Sequence, residues 1–594
     1  MKTSKRCATS IIVFRKPLDV TRISGLRLFA FMAQVMHACI SMAQNPVSIP
    51  ASISGDSITL NLQNGSKSFI NGFTTSTNGF NGDFLGPTLI LKKGQAADFT
   101  VLNSLSDTTT VHWHGLHVSP HNDGGPHNFI LPGAEWKPSF TVLDEAGTYW
   151  YHPHMHRKTN EQVMRGAAGM IIVRDTTEIS LPLPVRYGTD EFPVIIQTRH
   201  FDATGNIMTG THHDSTVMVN GTMHPQLTIP AQTVRLRILN ASSERVFNLG
   251  LDQGSKLVLL GMDGGFVPKP MPMSRLVLPP GKRADVILDA TTMDGKKLAL
   301  KSFASEFPNG IYGATDPSHT QVGIIPGYHE NPLNGRDFVV LDIYVTKPTQ
   351  DPVTGIPQQL PAPAMIDTAN MARSRMLLFS ARSMSPFSML NGPFKFNDAY
   401  FDMMYINDTA HLGDHEIWDL RNLTSIAHPF HLHGLQFNIM TRDGNPPPPH
   451  EKGNHDVVLV QPQEIVRIAV AWKNFSDMHM PYMYHCHMLT HEDGGMMGQI
   501  LIMDHTGLET DENMKSGIHV YPNPANQSMH IESEHEPMEQ ISLLDMAGRE
   551  ILHSPNSLQS KLFTLSTNDA VNGIYILRIR QGSHVFMSKI AIKH

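Results

Sequence analysis

The residues most able to do chemistry in this chain are four His-x-His pairs: His112/His114, His152/His154, His431/His433 and His485/His487. On a β-strand, side chains two apart share a face, so each pair offers two imidazoles to one site. One such pair is commonplace, but four, each embedded in aromatic and apolar sequence, point to a shared metal centre. Imidazole suits copper, zinc, iron and nickel alike, so the pairs do not choose the metal. The last pair encloses a thiol. In His485-Cys486-His487, two histidines facing one way leave the sulfur facing the other, and Cys486 needs a metal of its own. His428 lies upstream, and His491 and Met496 lie downstream. Two histidines, a cysteine and a weak methionine are the ligand set of a blue-copper electron-transfer centre. His428 and His431, three apart, face opposite ways if extended and serve different metals. The eight paired imidazoles match one copper with two ligands and two coppers with three each.

Short strands are the elements that must hold these residues. The 594-residue chain carries 45 Gly and 41 Pro, punctuation that favours strands and turns over long helices. Its length calls for several domains. Hydrophobic residues are 40% and charged ones 17%, which suits a folded chain. The net charge is −7 with no basic run, which argues against nucleic acid as a partner. β-type units span about 48–177, 178–350 and 364–504, with a Pro-rich linker from Pro348 to Pro363. In the second unit, Val234-Arg235-Leu236-Arg237-Ile238 alternates with the period expected of a half-buried antiparallel strand. Gly169-Met170-Ile171-Ile172-Val173 closes the first unit, and Gly498-Gln499-Ile500-Leu501-Ile502 echoes it at the end of the third. That echo suggests a duplicated domain. Residues 517–594, without cysteine or a close histidine pair, read as a small β-sandwich with no chemistry of its own.

Residues 1–43 read as a signal peptide. Basic Lys2, Lys5 and Arg6 precede an apolar stretch from Leu28 to Met42 that ends in Ser41-Met42-Ala43. No later stretch reaches the ~20 apolar residues of a membrane span. Of Cys7, Cys39 and Cys486, cleavage leaves only Cys486, which then has no partner for an internal disulfide.

The strings VHWHGL, WYHPHMH, HPFHLHG and YHCHMLTHEDGGMMG resemble the four copper-binding signatures of three-domain multicopper oxidases. The resemblance covers roughly residues 48–504 and is nearest the bacterial branch of cuprous oxidases, spore-coat laccases and bilirubin oxidases. It implies an all-β chain of three cupredoxin-like Greek-key barrels or sandwiches, followed by the small C-terminal sandwich. It implies four copper ions: a type 1 copper on His428, Cys486, His491 and Met496, with Met497 the alternative axial ligand. A type 2 copper falls to His112 and His431, and a type 3 pair to His114, His152, His154, His433, His485 and His487. The second domain, without copper, is a spacer. Asp123 and Glu492 match carboxylates that relay protons, and Cys486 conducts electrons to the cluster. Dioxygen is then reduced to water by four one-electron oxidations of a small reducing substrate.

Phenolic or similar organic reductants are the first expectation and metal ions, Cu(I) or Fe(II), the second. Cuprous-oxidase relatives carry a Met-rich insertion and an acidic-plus-Met pair before the first type 1 histidine. Here Thr424-Ser425-Ile426-Ala427 stands in that place. A competing class keeps the fold as a scaffold after losing copper ligands. It predicts missing histidines, whereas all twelve ligand positions are filled. The C-terminal module, opening on Tyr521-Pro522-Asn523-Pro524, resembles the sorting domains read by type IX secretion machinery. It implies export through the periplasm to the cell surface or beyond.

Overall fold

A computed structural model describes residues 45–210, 214–314, 331–504, 518–534, 536–545, 549–554, 558–581 and 584–594. The expected signal peptide lies outside the described residues. The structure is nearly all β, 48% strand and 6% helix. It divides into two compact units, one ending at Met503 and the other beginning at Asp504. Among the described residues no helix is long and apolar enough to cross a membrane.

The first unit is built from six sheets that share three cores. One core joins strands such as Ser57–Lys67 and Ala96–Ser104 to Thr88–Lys92, Gly147–His152 and Gly169–Arg174. A second is buried between a six-stranded and a seven-stranded sheet. The third joins Arg373–Ala381 and His415–Asn422 to His428–Leu432, Tyr482–Cys486 and Met497–Met503. In the second unit a three-stranded and a four-stranded sheet enclose a separate core around Ile531, Leu543 and Leu577.

The echo noted in the sequence has a structural counterpart. Gly169–Arg174 pairs antiparallel with Gly147–His152 and parallel with Thr88–Lys92. Met497–Met503 pairs antiparallel with Tyr482–Cys486 and parallel with Asp408–His411. In both copies a glycine sits in register opposite a tyrosine, Gly169 with Tyr151 and Gly498 with Tyr484. A Cβ on either glycine would fall 2.2 or 2.4 Å from the tyrosine ring. Each tyrosine directly precedes a cluster histidine, His152 or His485. The ring lying over bare backbone therefore fixes which way the neighbouring imidazole points, because a one-residue slip would reverse every side chain.

The strand Thr233–Asn240 departs from its expectation. It is buried along its whole length, parallel to Glu191–Arg199 on one side and antiparallel to Arg283–Asp289 on the other. The alternating arginines face the first sandwich rather than water. Arg237 donates to Glu191 at 2.8 Å and to Glu178 at 2.7 Å, while Arg235 contacts Glu178 at 2.8 Å and pairs with Asp285. Arg174 completes the network by binding Glu178 and Glu191. The period of two was real, but its polar face is satisfied by carboxylates, which makes burial tolerable.

Burial alone raises the Glu178 carboxyl, yet Arg235, Arg237 and Arg174 outweigh it and lower it from 4.5 to about 2. A carboxylate depressed in the folded state stabilises fully above its unfolded value and loses that contribution as pH falls from 4.5 toward about 2. Glu178→Gln is expected to cost about 3–5 kcal/mol at neutral pH, because it leaves buried arginines underpaired. It should also flatten the acid limb of a denaturation series, and a variant with the wild-type acid limb would show that the network does not set it.

Candidate metal centre

The strand His112–His114 pairs antiparallel with Gly147–His152, setting His112 opposite His152. In the third sandwich, His428–Leu432 pairs antiparallel with Tyr482–Cys486, setting His431 opposite His485. These two strand pairs meet, and all eight paired imidazoles converge where the first and third sandwiches touch. None of the eight is more than 1% exposed. Across the junction His112 stacks on His433 and His114 on His431, each pair with ring centroids 3.8 Å apart.

The ring nitrogens fall into three groups: His112, His114 and His431; His114, His152 and His487; and His154, His433 and His485. Six of their eight outer nitrogens are tied down by hydrogen bonds. His112 Nδ1 and His431 Nδ1 donate to the backbone carbonyls of Asp123 and Asp456, at 2.8 and 2.7 Å. His433 Nδ1 donates to Asp123 Oδ2 at 2.8 Å, and His114 Nε2 to Asp456 Oδ1 at 3.0 Å. His485 Nδ1 donates to the Cys486 carbonyl at 3.1 Å and His152 Nδ1 to that of Pro153 at 2.8 Å. With those protons placed, the inward nitrogens carry lone pairs. His154 Nε2 and His433 Nε2 stand 3.0 and 3.2 Å from His485 Nε2. Nε2 of His112, His152 and His431 is buried without any partner.

Lone pairs pressed this close repel unless cations sit among them, so the donor set fits bound metal. Burial, reinforced by neighbouring rings, holds His114, His152, His154, His431, His433, His485 and His487 well below the ordinary imidazole value. These rings are therefore neutral and ready to ligate at physiological pH.

The opposite face of the same strand carries the sulfur. Cys486 Sγ lies 3.5 Å from both His428 Nδ1 and His491 Nδ1. The short helix Leu489–Asp493 turns the chain back so that His491 faces the thiol. Met496 belongs to the buried cluster that holds Cys486, whereas Met497 sits in register with His485 and packs on Met483 and Phe401. Met496, and not Met497, thus shares the buried surroundings of Cys486. Burial pushes the Cys486 thiol up in the metal-free chain, a penalty that a coordinating metal reverses by deprotonating it. His428 is fully buried, and with Nδ1 toward the sulfur its Nε2 donates to Thr424 Oγ at 2.8 Å. His491 is half-buried. Phe394 packs against both rings, at 4.7 and 4.5 Å.

Of the two expected carboxylates, Asp123 orients His112 and His433 as described. Glu492 lies between His154 Nδ1 at 3.4 Å and His485 Nδ1 at 3.3 Å. Burial, then Asp493, raises its carboxyl well above the ordinary value. Other histidines make outer contacts: His117 binds Asp144, His127 binds Gln499 and His121 binds Asp477. His212 and His213 lie outside the described residues. Sequence reasoning missed Asp456 and Phe394 as neighbours of the site, because nothing in their spacing reveals a contact across the fold.

Models of the multicopper oxidase family match residues 55–178, 194–301 and 359–506. A secretion system C-terminal sorting domain matches 519–593. The chain is 30% identical over 453 residues to a multicopper oxidase of Staphylococcus haemolyticus, covering 75% of this chain and 88% of that one. It is also 30% identical over 487 residues to the cell division protein FtsP of Escherichia coli, covering 81% and 97%. Among solved structures it resembles a laccase-like multicopper oxidase from the lignin-degrading bacterium Ochrobactrum sp., with a TM-score of 0.68 and 30% identity over 77% of this chain and 100% of that one. That protein is described as having oxidase activity towards lignin model compounds and lignosulfonate. Three sandwiches with buried imidazoles converging at a domain junction, and a sulfur-bearing site on the far face of one strand, agree with these matches: the chain belongs to the multicopper oxidases, copper-dependent oxidoreductases with dioxygen as acceptor.

Proposed function

We propose that this chain binds four copper ions and oxidises small organic reductants, phenols foremost, at the sulfur-bearing site. His428, Cys486, His491 and Met496 hold the type 1 copper. His112 and His431 hold the type 2 copper. His114, His152 and His487 hold one type 3 copper, and His154, His433 and His485 the other. The observation that carries this reading is the strand Tyr482–Cys486 and its next residue: Sγ faces two imidazole nitrogens on one side, while His485 and His487 face the histidine cluster on the other. The same reading divides the oxidase at 48–177, 178–350 and 364–504, with the sorting module at 517–594.

Bound copper supplies the one-electron chemistry and the place where dioxygen is reduced. The chain supplies the route and the protons. A donor reaches the half-buried edge of His491, because Thr424 and full burial close off His428. Cys486 joins that site covalently to His485 and His487, so electrons travel through a few bonds rather than through solvent. Glu492, with its carboxyl raised, holds a proton between two cluster imidazoles. Asp123 contacts two more. The absence of an acidic residue in the stretch 424–427, just before His428, favours an organic donor over a cation. Exposed thioethers at Met384, Met404 and Met478 are soft donors that suit Cu(I), and they keep metal-ion oxidation as the second reading. The sorting module supports export through the type IX machinery to the cell surface or the medium.

Steady-state rates for a phenol, bilirubin, Cu(I) and Fe(II) on one copper-loaded sample test the substrate, with the phenol expected to give the highest kcat/KM. Cu(I) or Fe(II) ahead by tenfold would transfer the assignment to metal-ion oxidation. Copper loading without oxygen uptake, in the presence of a reducing dye, would reduce the protein to a copper binder. Cys486→Ser is expected to abolish the blue thiolate-to-copper absorption while leaving the apoprotein's circular dichroism unchanged, and retained colour would refute the type 1 assignment. Glu492→Gln should keep the colour yet slow turnover by about 100-fold or more, the scale of a lost proton donor. Wild-type oxygen uptake in that variant would remove Glu492 from the proton path.

A further inference from the structure

The cluster has an approximate twofold symmetry inherited from the duplicated sandwiches, and the symmetry is broken at one place. Asp123 accepts from His112 through its carbonyl and from His433 through its carboxylate. Asp456 does the same for the symmetry-related rings, accepting from His431 through its carbonyl and from His114 through its carboxylate. The two aspartates are thus counterparts, each orienting both members of one stacked imidazole pair. Among the described residues, only Asp456 of the two is gripped by a cation. Arg283, from the second sandwich, donates to both Asp456 oxygens at 2.5 Å, a bidentate pair that is wholly buried.

Arg283 is itself fixed. Its Nε donates to the Thr148 carbonyl of the first sandwich at 2.9 Å, and its backbone N–H donates to Asp263 at 3.0 Å. The neighbouring Lys282 binds Asp263 at 2.8 Å and the Val457 carbonyl of the third sandwich at 2.7 Å. One residue earlier, Gly281 has a φ of 81°, and a Cβ there would lie 2.8 Å from the His487 ring. A single turn of the second sandwich therefore touches both of the others, one aspartate that orients two cluster imidazoles, and the ring of His487. It does so where ligands from separate sandwiches must meet.

We propose that Arg283 and Asp456 form a positioning clamp, supplied by the second sandwich, that sets the orientation of His114 and His431 and hence the metal affinity of the histidine cluster. The second sandwich is then part of the site's construction rather than a spacer. The clamp also divides labour between the counterpart aspartates. A carboxylate held by two charge-assisted hydrogen bonds is immobile, so Asp456 aligns rings, whereas Asp123, with no such cation, is left to serve proton transfer. This inference rests on the copper assignments proposed above.

The test uses the full-length, copper-loaded protein and reads copper per chain, blue absorption per chain and copper retention against a chelator. In Asp456→Ala and Arg283→Gln, blue absorption per chain should stay at the wild-type level. Copper affinity of the remaining sites should fall by roughly 10–100-fold, the scale seen when a ligand-orienting partner is removed. Arg283→Lys, which keeps the charge but not the paired donors, should lose less, and the double variant should be no worse than the weaker single. Wild-type copper retention in both single variants would overturn the clamp. So would loss of blue colour in parallel with the other copper together with a lowered melting temperature of the apoprotein, since that pattern marks a purely structural role. A wild-type protein that never turns blue or never loads the cluster would instead defeat the copper assignments, a result read before any variant is made.

Discussion

Everything in the oxidase unit depends on the alternation of one strand. A pleated strand sends adjacent side chains to opposite faces, so a cysteine between two histidines must serve a different site from its neighbours. That rule separates the sulfur-bearing site, open to solvent only at half-buried His491, from the imidazole cluster at the domain junction, while keeping them covalently joined. The rule is useful only if the register cannot slip. Gly498 beneath the Tyr484 ring secures it here, and Gly169 beneath Tyr151 secures the matching strand in the first sandwich. Both devices are steric, and both sit one residue from a cluster imidazole.

Burying so many polar rings carries a cost that the protein meets in two ways. Six of the eight outward nitrogens are hydrogen-bonded to backbone carbonyls and aspartates, and burial favours the neutral ring in His114, His152, His154, His431, His433, His485 and His487. What results without metal is a set of lone pairs in forced proximity, a state relieved by cation binding. Metal affinity and folding are therefore linked: the same contacts that fix the rings lower the entropy lost when metal arrives. The stacked pairs His112/His433 and His114/His431 show how tightly the two sandwiches must dock, since each stack takes one ring from either side.

Much of this was legible in the sequence because it is local. The His-x-His spacing, the intervening thiol and the return of His491 five residues after Cys486 are properties of short stretches. The fold class followed from strand-like runs and frequent turns. What the sequence concealed is non-local. Arg235 and Arg237 looked like the wet face of a strand, because alternation does not say whether water or carboxylates satisfy the polar side. Asp456 and Arg283 lie 173 residues apart in the chain. Neither has a spacing that marks it, and only the docking of three sandwiches brings them together. Thr424 was visible as a departure from an acidic pattern, but its hydrogen bond to His428, and the closure of that ring from solvent, depend on the fold.

The two buried ionic networks give a role to the second sandwich, which contributes none of the eight paired imidazoles. Ion pairs in a protein interior contribute little net stability compared with apolar packing, yet breaking one is costly because it strands a charge. Such contacts penalise wrong geometry more than they reward association. One network, around Arg235 and Arg237, joins the second sandwich to the first through Arg174, which binds Glu178 and Glu191, and through Thr148, which accepts from Arg237. The other, around Lys282 and Arg283, fixes it to the third. A cluster whose imidazoles come from two separate sandwiches needs that kind of intolerance to misalignment. The middle sandwich provides it by making every displaced arrangement leave an arginine or an aspartate unpaired.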